Sequence, residues 1–119
     1  MKKLIVTLVT AVAVAIVYAA VDLSGTWEID ATFDDVSLAG GGFDCVIKQS
    51  SEKLTGNCSD GSASLAGEID GQKVAWRVSN AASPPVVTTF SGTLNESGKS
   101  IEGRFTVGNR GGSFRADKQ

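Results

Sequence analysis

The sequence predicts an all-β fold, an eight-stranded antiparallel up-and-down meander barrel that follows an N-terminal signal-peptide helix. Beyond residue 22, apolar and polar side chains alternate with a period of two, which is the pattern of half-buried strands. The chain has 14 Gly but only 2 Pro, which suits many short strands joined by turns. The connections are short and sequential, which favours a meander in which neighbouring strands pair.

The first element is a predicted signal peptide. Lys2 and Lys3 precede an apolar run over 4–17, and small residues follow at Ala19 and Ala20. This is the order of charged, apolar and small-residue regions in secretory signals. We therefore predict cleavage after Ala19, with 1–19 as the signal peptide and 20–119 as a single barrel domain. An uncleaved anchor over 4–21 is the alternative, because this stretch is near the lower length limit for spanning a membrane.

The predicted strands cover 24–33, 43–48, 54–58, 63–69, 74–78, 86–94, 101–107 and 114–116. In the first strand Trp27 and Ile29 alternate with Glu28 and Asp30, so the two aromatic and aliphatic side chains share one face. The same alternation places both Trp and all five Phe residues on the inward face. One core with a solvated outer surface follows from this pattern.

The second and third strands carry the only two cysteines, Cys45 and Cys58. Two cysteines in an exported chain indicate a disulfide. If they face each other across a hairpin, the turn centres on 51–52, Ile47 pairs with Gly56 and Gln49 pairs with Leu54. Cysteines at such a directly opposed position are close enough to be bridged.

The fourth to seventh strands form two further hairpins. Asp70-Gly71 is a strong two-residue turn signal and predicts pairing of Leu65 with Trp76. The turn at 95–98 predicts pairing of Gly92 with Ile101. Both registers place apolar residues opposite apolar residues.

A short motif, an apolar residue followed two positions later by glycine, recurs along the strands. It occurs at Leu54-Thr55-Gly56, Leu65-Ala66-Gly67, Phe90-Ser91-Gly92 and Ile101-Glu102-Gly103. An inward glycine lets a strand coil sharply and leaves room for side chains that cross the interior. The motif therefore favours a closed barrel, which also removes the exposed edge strands of an open sheet.

The two ends of the predicted barrel differ. Tight turns at 50–53, 70–71 and 95–98 lie at the end that carries both termini. The opposite, open end carries the longer segments Asp34 to Gly42, Ser59 to Ser62, Ser79 to Pro85 and Gly108 to Gly112. Since binding residues usually lie on loops held by a rigid scaffold, we predict partner-binding loops there, with Asp34, Asp35, Asn80 and Arg110 as the contact residues.

Composition excludes several functions. The chain has no His and a net charge of −2, which argues against a Ser-His catalytic pair and against nucleic acid as a partner. Asp34, Asp35 and Asp44 could gather calcium, but a solvated acidic loop explains them. Glu28 and Asp30 could act as paired carboxylates, but polar alternation on the outer face explains them too. We predict no enzyme, no cofactor and no metal.

Two inward polar residues, Gln49 and Thr88, are the best sequence indication of a ligand, because buried polar groups need partners. Trp27, Trp76 and Phe90 could line a small pocket with them. The alternative is that the aromatic and aliphatic side chains fill a narrow barrel and leave no cavity.

Gly25-Thr26-Trp27 resembles the Gly-x-Trp signature of the calycin superfamily, which includes lipocalins, fatty-acid-binding proteins and avidins. This resemblance implies that Trp27 closes one barrel end and that a basic residue of the last strand, here Arg115, packs across it. The stretch Leu23 to Trp27, followed by Cys45, is also similar to secreted bacterial metalloprotease inhibitors of lipocalin-like fold.

The sequence thus predicts a secreted or periplasmic, non-enzymatic binding protein that takes a small apolar molecule at its open end. The first alternative is a protein-binding module, such as a secreted inhibitor of a protease or other hydrolase. The second is a structural or stress-protective envelope protein. No membrane span is expected after cleavage of the signal peptide.

Overall fold

The structure, a computed structural model, describes residues 21–119. The predicted signal peptide and its cleavage site lie outside the described residues. The strands are β1 Gly25–Phe33, β2 Gly41–Ser50, β3 Lys53–Cys58, β4 Ala63–Asp70, β5 Lys73–Asn80, β6 Val87–Leu94, β7 Ser100–Val107 and β8 Arg110–Lys118. Within 21–119, no helix has the length and apolar character needed to cross a membrane.

The eight strands form a closed antiparallel barrel in sequence order. Each strand pairs with the next, and β1 closes the barrel by pairing with β8 from Trp27 opposite Lys118 to Phe33 opposite Gly112. Closure gives every strand two neighbours, so no strand of the barrel is left with the unpaired backbone donors and acceptors of a sheet edge. The predicted up-and-down meander barrel is confirmed.

The β2–β3 hairpin has the predicted register. Cys45 is paired with Cys58, Ile47 with Gly56 and Gln49 with Leu54. The two cysteines form the predicted disulfide, and their Cα atoms are 4.0 Å apart. Both are buried in the wall of the barrel.

The β4–β5 register differs from the prediction by two residues. Leu65 pairs with Val78, and Trp76 pairs with Gly67. The turn is Gly71-Gln72 rather than Asp70-Gly71, and Gly71 has a φ of 61°. Glycine at the first central position is the requirement of a type II′ turn, whereas the prediction assumed glycine at the second.

The β6–β7 register is also shifted by two residues. Gly92 pairs with Gly103 and Leu94 with Ile101, because six residues, 95–100, lie between this last pair, two more than the four predicted. The Asn95 side chain organises this turn, since its Oδ1 accepts hydrogen bonds from the backbone N–H groups of Lys99 and Ser100. A shift of two keeps every side chain on its predicted face.

The open-end connections are shorter than predicted, because the strands continue further towards this end. β2 begins at Gly41, β5 continues to Asn80 and β8 begins at Arg110. The predicted loop Gly108 to Gly112 is therefore only the two-residue turn Gly108-Asn109. The segments 34–40 and 81–86 remain the long connections at this end.

The core fills the middle and the terminus-bearing end of the barrel. Both Trp residues, together with Phe90, Phe105 and Phe114, are buried, and Phe33 and Phe43 pack against them half-buried. Inward glycines make this possible: a Cβ on Gly67 would lie 2.5 Å from the Trp76 Cβ, and one on Gly103 only 2.0 Å from the Ser91 carbonyl oxygen. The Trp76 residue therefore occupies the space beside Gly67, and the backbone of the neighbouring strand occupies the space beside Gly103.

Candidate functional site

The terminus-bearing end is closed by the chain segment that precedes β1. Leu23 is fully buried, and its carbonyl oxygen accepts a hydrogen bond from Trp27 Nε1 at 2.8 Å. Gln49 holds the same residue, because its Oε1 accepts from the Leu23 backbone N–H at 2.8 Å. Gln49 also donates from Nε2 to the Ser51 carbonyl at 3.0 Å. Trp27 and Gln49, predicted to bind ligand, thus hold this end shut.

Arg115 does not pack across Trp27. Along β8, Phe114 and Ala116 point inward, so the alternation directs Arg115 to the outer face. There it forms ion pairs with Glu102 and Asp117, at 2.9 Å and 3.1 Å. The pKa of Arg115 is raised chiefly by the hydrogen bonds that it donates to Asp117, and also by the negative charges of Asp117 and Glu102.

Lys118 is the basic residue at the closed end of β8. It pairs with Trp27 across the β1–β8 ladder, and its Nζ donates to the Asp22 carbonyl oxygen at 3.2 Å. The last strand therefore does supply a cation at the Trp27 end, three residues later than the resemblance indicated.

At the opposite end the barrel holds a cavity of about 460 Å³. We call it the mouth cavity. Its lining comes from the inward positions at the open ends of the strands and from the connections 34–40, 59–62 and 81–86. The side chains that line its walls and base are Ala31, Phe33, Phe43, Ala63, Val78, Asn80, Val86, Thr88, Phe90, Phe105 and Val107. None of the lining residues carries a charge.

Aromatic rings form most of the base of the mouth cavity. The centroid of Phe90 lies 5.9 Å from that of Phe105 and 6.2 Å from that of Phe43. Phe33 packs edge-on against Phe105 at 5.2 Å. These rings are both the upper boundary of the core and the surface that a bound molecule would contact.

Thr88 is one of the polar side chains on the cavity wall. It lies half-buried between Val78 of β5 and Val107 of β7, which both line the cavity. Among residues 21–119, no protein group forms a hydrogen bond with its hydroxyl group. That hydroxyl can donate one hydrogen bond and accept others, so it can orient a polar group of a ligand.

Of the predicted ligand-binding residues, the structure brings Thr88 and Phe90 to the mouth cavity. Trp76 lies directly beneath, stacked on Phe90 with ring centroids 5.2 Å apart, and does not line the cavity. Sequence reasoning missed Phe33, Phe43 and Phe105. The sequence pattern contains the information needed to find these three residues, because each is an inward position near the open end of its strand.

The predicted partner-binding residues lie at the open end, but three of the four, Asn80, Asp35 and Asp34, hold connections in place. Asn80 Oδ1 accepts hydrogen bonds from the backbone N–H groups of Ala82 and Val86, both at 3.1 Å, and so fixes the connection 81–86. Asp35 accepts from the hydroxyl and backbone N–H of Ser37, and these bonds lower the pKa of its carboxyl group. Arg110 is exposed beside the two-residue turn.

Asp34 attaches the 34–40 connection to the barrel wall. Its carboxylate accepts two hydrogen bonds from the guanidinium of Arg104, one of them at 2.9 Å, and its backbone N–H donates to the Gly111 carbonyl at 3.0 Å. The hydrogen bonds from Arg104 lower the pKa of Asp34. Asp44 does not join it: across 21–119, no three carboxylate or cysteine side chains gather as a metal site would require.

Comparisons with known proteins support the fold and leave the family open. No family model matches the chain, and no curated protein matches it. Among solved structures, a redesigned β-barrel, mFAP1, bound to DFHBI, is similar with a TM-score of 0.58 and 15% identity. The match covers 82% of this chain and 94% of that one. It shows a shared small eight-stranded barrel architecture, and calycin membership stays a prediction.

Proposed function

We propose that this chain is a secreted, non-enzymatic binding protein that takes up a small, uncharged, apolar molecule in the mouth cavity. The observation that carries the proposal is the cavity itself: about 460 Å³, open at one end and lined without a charged side chain. Pockets for small molecules in proteins are typically 300–1,000 Å³ and mostly apolar, with few polar groups. The disulfide suits the oxidising, extracytoplasmic compartment that secretion implies.

The lining favours a molecule with an aromatic ring. Phe43, Phe90 and Phe105 line the cavity, and aromatic pairs gain about 0.5–1.5 kcal/mol beyond the burial of their area. A charged ligand would lose its hydration without gaining a counter-charge from the lining. The redesigned barrel of similar fold binds DFHBI, which is consistent with use of such a barrel for binding small molecules.

The proposal is tested with N-phenyl-1-naphthylamine, a neutral aromatic fluorophore whose emission increases in apolar surroundings. Ala63→Phe places a ring in the mouth cavity, because Ala63 lines it. Ala66→Phe places the same ring on the exposed outer face of the same strand, β4. We expect saturable binding to the wild type and to Ala66→Phe, with at least a tenfold loss of affinity for Ala63→Phe.

Two results would contradict the proposal. One is the absence of saturable binding of this fluorophore to the folded wild-type barrel. The other is equal affinity of the Ala63→Phe and Ala66→Phe variants, because binding would then take place away from the mouth cavity.

A second candidate function is inhibition of a secreted protease or other hydrolase by the rim of the mouth. Val36, on the 34–40 connection, is 99% exposed; Val86, which ends the 81–86 connection, and Val87, which begins β6, are 46% and 41% exposed. Apolar side chains presented at a rim mark protein contacts when they cluster. If the rim inhibits such an enzyme, Val36→Ser should weaken inhibition and leave fluorophore binding unchanged.

A further inference from the structure

One buried donor has no partner among residues 21–119, and it belongs to Trp76, whose ring stacks on a residue that lines the mouth cavity, Phe90. Trp76 is 2% exposed, and its indole Nε1 is buried without an acceptor among residues 21–119. The indole N–H is a donor only, so a hydrogen bond can reach it only from an acceptor brought to it. Trp27 shows the usual arrangement in this barrel, because its Nε1 donates to the Leu23 carbonyl at 2.8 Å.

An unsatisfied buried donor is unusual in a protein interior. Most buried polar side-chain atoms have at least one partner, and those that have none call for an explanation. A phenylalanine at position 76 would be smaller than the indole, but it would stack on Phe90 without an orphan donor. Core packing therefore accounts for the large ring at this position and not for its N–H group.

The ring that carries this donor is stacked on one side chain of the cavity lining. Trp76 pairs with Phe90 across the β5–β6 ladder, and the two rings are stacked with an interplanar angle of 15° and centroids 5.2 Å apart. Phe114 packs edge-on against both of these rings. Phe90 lines the mouth cavity, and the next inward residue of β5, Val78, lines it as well.

We propose that Trp76 is a specificity-determining residue, whose indole N–H donates a hydrogen bond to a neutral acceptor on the bound molecule. The inference rests on the proposed function of the mouth cavity. The proposal requires the Phe90 side chain, which is 1% exposed, to rotate so that the acceptor reaches Nε1 from the cavity and the ring of the ligand takes over part of the stacking surface. The ligand class is then an aromatic carbonyl compound or a similar ring with a neutral oxygen or nitrogen acceptor.

A matched pair of probes tests this directly. Acetophenone and α-methylstyrene have nearly the same shape, but only acetophenone has a carbonyl acceptor. In the wild-type protein we expect acetophenone to bind about five- to tenfold more tightly, the net gain of one hydrogen bond. We also expect acetophenone, but not α-methylstyrene, to shift the indole N–H signal of Trp76 downfield in NMR spectra, while that of Trp27 stays in place.

The variant Trp76→Phe gives the second readout. It keeps a ring beside Phe90 and removes the donor, so the two probes should bind with equal affinity. Should this variant not fold, the indole signals of the wild type still decide. Equal affinities of the probes in the wild type, discrimination retained in Trp76→Phe, or an unmoved Trp76 signal on binding of acetophenone would each overturn the inference.

The same spectra separate failure of this inference from failure of the proposed function. If both probes shift the backbone signals of Thr88 and Phe43 but do so equally, the mouth cavity binds aromatic molecules and only the role of Trp76 is wrong. If neither these probes nor N-phenyl-1-naphthylamine perturbs those signals, the proposed function fails, and the inference fails with it.

Discussion

Gln49 shows how an inward polar side chain is satisfied inside a barrel. It links the segment before β1 to the β2–β3 turn, and its partner Leu23 is fully buried. A residue with this pattern can be mistaken for a ligand contact, because both roles need a polar group that faces inward. The two roles can be told apart only when the position of the segment before β1 is known. The alternation of apolar and polar residues carries no information about that segment.

Replacing Gln49 with Met should therefore destabilise the barrel. The Leu23 N–H would lose its acceptor in a buried place, which costs about 1–3 kcal/mol. Urea unfolding of the two proteins measures this difference. Gln72→Met is the matched control, because Gln72 only donates from Nε2 to the Leu94 carbonyl at 3.3 Å, and its loss should have a smaller effect. Equal losses in the two variants would contradict the role given to Gln49.

The ion pair between Asp34 and Arg104 predicts a pH-dependent contribution at the mouth. The pKa of Asp34 is lower in the folded protein than its ordinary value of 3.8, chiefly through hydrogen bonds from Arg104. The stabilisation is therefore present above pH 3.8 and is lost as the pH falls through the lowered pKa. The pair is exposed, so the effect is small.

Thermal unfolding of the wild type and Asp34→Asn checks this. The wild type should melt slightly higher at about pH 7, and the difference should shrink towards zero at about pH 2. Asp60→Asn is the control, because no ion pair holds Asp60 among residues 21–119, and it should show little difference at either pH. A difference for Asp34→Asn that persists unchanged at the lower pH would exclude the ion pair as its cause.

At the scale of the strands, inward glycines limit what the barrel wall accepts. A Cβ on Gly67 would lie 2.2 Å from the Ala75 carbonyl oxygen, and one on Gly103 2.0 Å from that of Ser91. Because these atoms belong to the backbone, the neighbouring strand would have to move. Gly67→Val and Gly103→Val should each cost about 1–3 kcal/mol of folding free energy or more.

The control variants for these glycine substitutions change residues on the outer face of the same two strands. Ser64→Val and Thr106→Val change exposed positions on β4 and on β7, where valine suits a strand. Melting temperatures measured by circular dichroism should fall for the two glycine variants and stay nearly constant for the controls. Similar melting temperatures in all four variants would mean that the glycines do not limit packing.

The strands were predictable because alternation depends only on which side chains are apolar. Hairpin register was harder, since it depends on turn geometry: Gly71 occupies the first rather than the second central position, and six residues rather than the expected four lie between the paired Leu94 and Ile101. Both shifts are of two residues, so the faces stayed correct while the pairs of Leu65 and Gly92 did not. The β2–β3 pairs were correct because the disulfide fixes them.

The candidate site was predictable only in part for the same reason. Inward orientation identified Thr88 and Phe90, but the height of a residue along the barrel depends on register and on where each strand ends. Trp27 shares their face and lies at the closed end, where it bonds to Leu23. The sequence pattern does not contain that contact, because it arises from a segment that folds back over the barrel end.

For the whole molecule, the difference between the two barrel ends predicts that changes at the open end affect ligand binding and that changes at the closed end do not. Shortening the 34–40 connection removes Ala39 and Gly40 from the wall of the mouth cavity and should weaken binding of N-phenyl-1-naphthylamine at least tenfold. Replacing 95–99 with a two-residue Asn-Gly turn changes the closed end and should leave affinity unchanged. Fluorescence titration of the two variants checks this, and affinity that follows the 95–99 end would contradict the location of the site.

The closed end also holds both ends of the described chain. Val21 accepts a weak hydrogen bond from Gln49, and the Gln119 backbone N–H donates to the Thr26 carbonyl at 2.9 Å. A linker fused after Gln119 therefore leaves the barrel on the side away from the mouth cavity. Such a linker can immobilise the protein on a sensor surface with its cavity facing the solution. All molecules are then attached in the same orientation when ligand binding is measured.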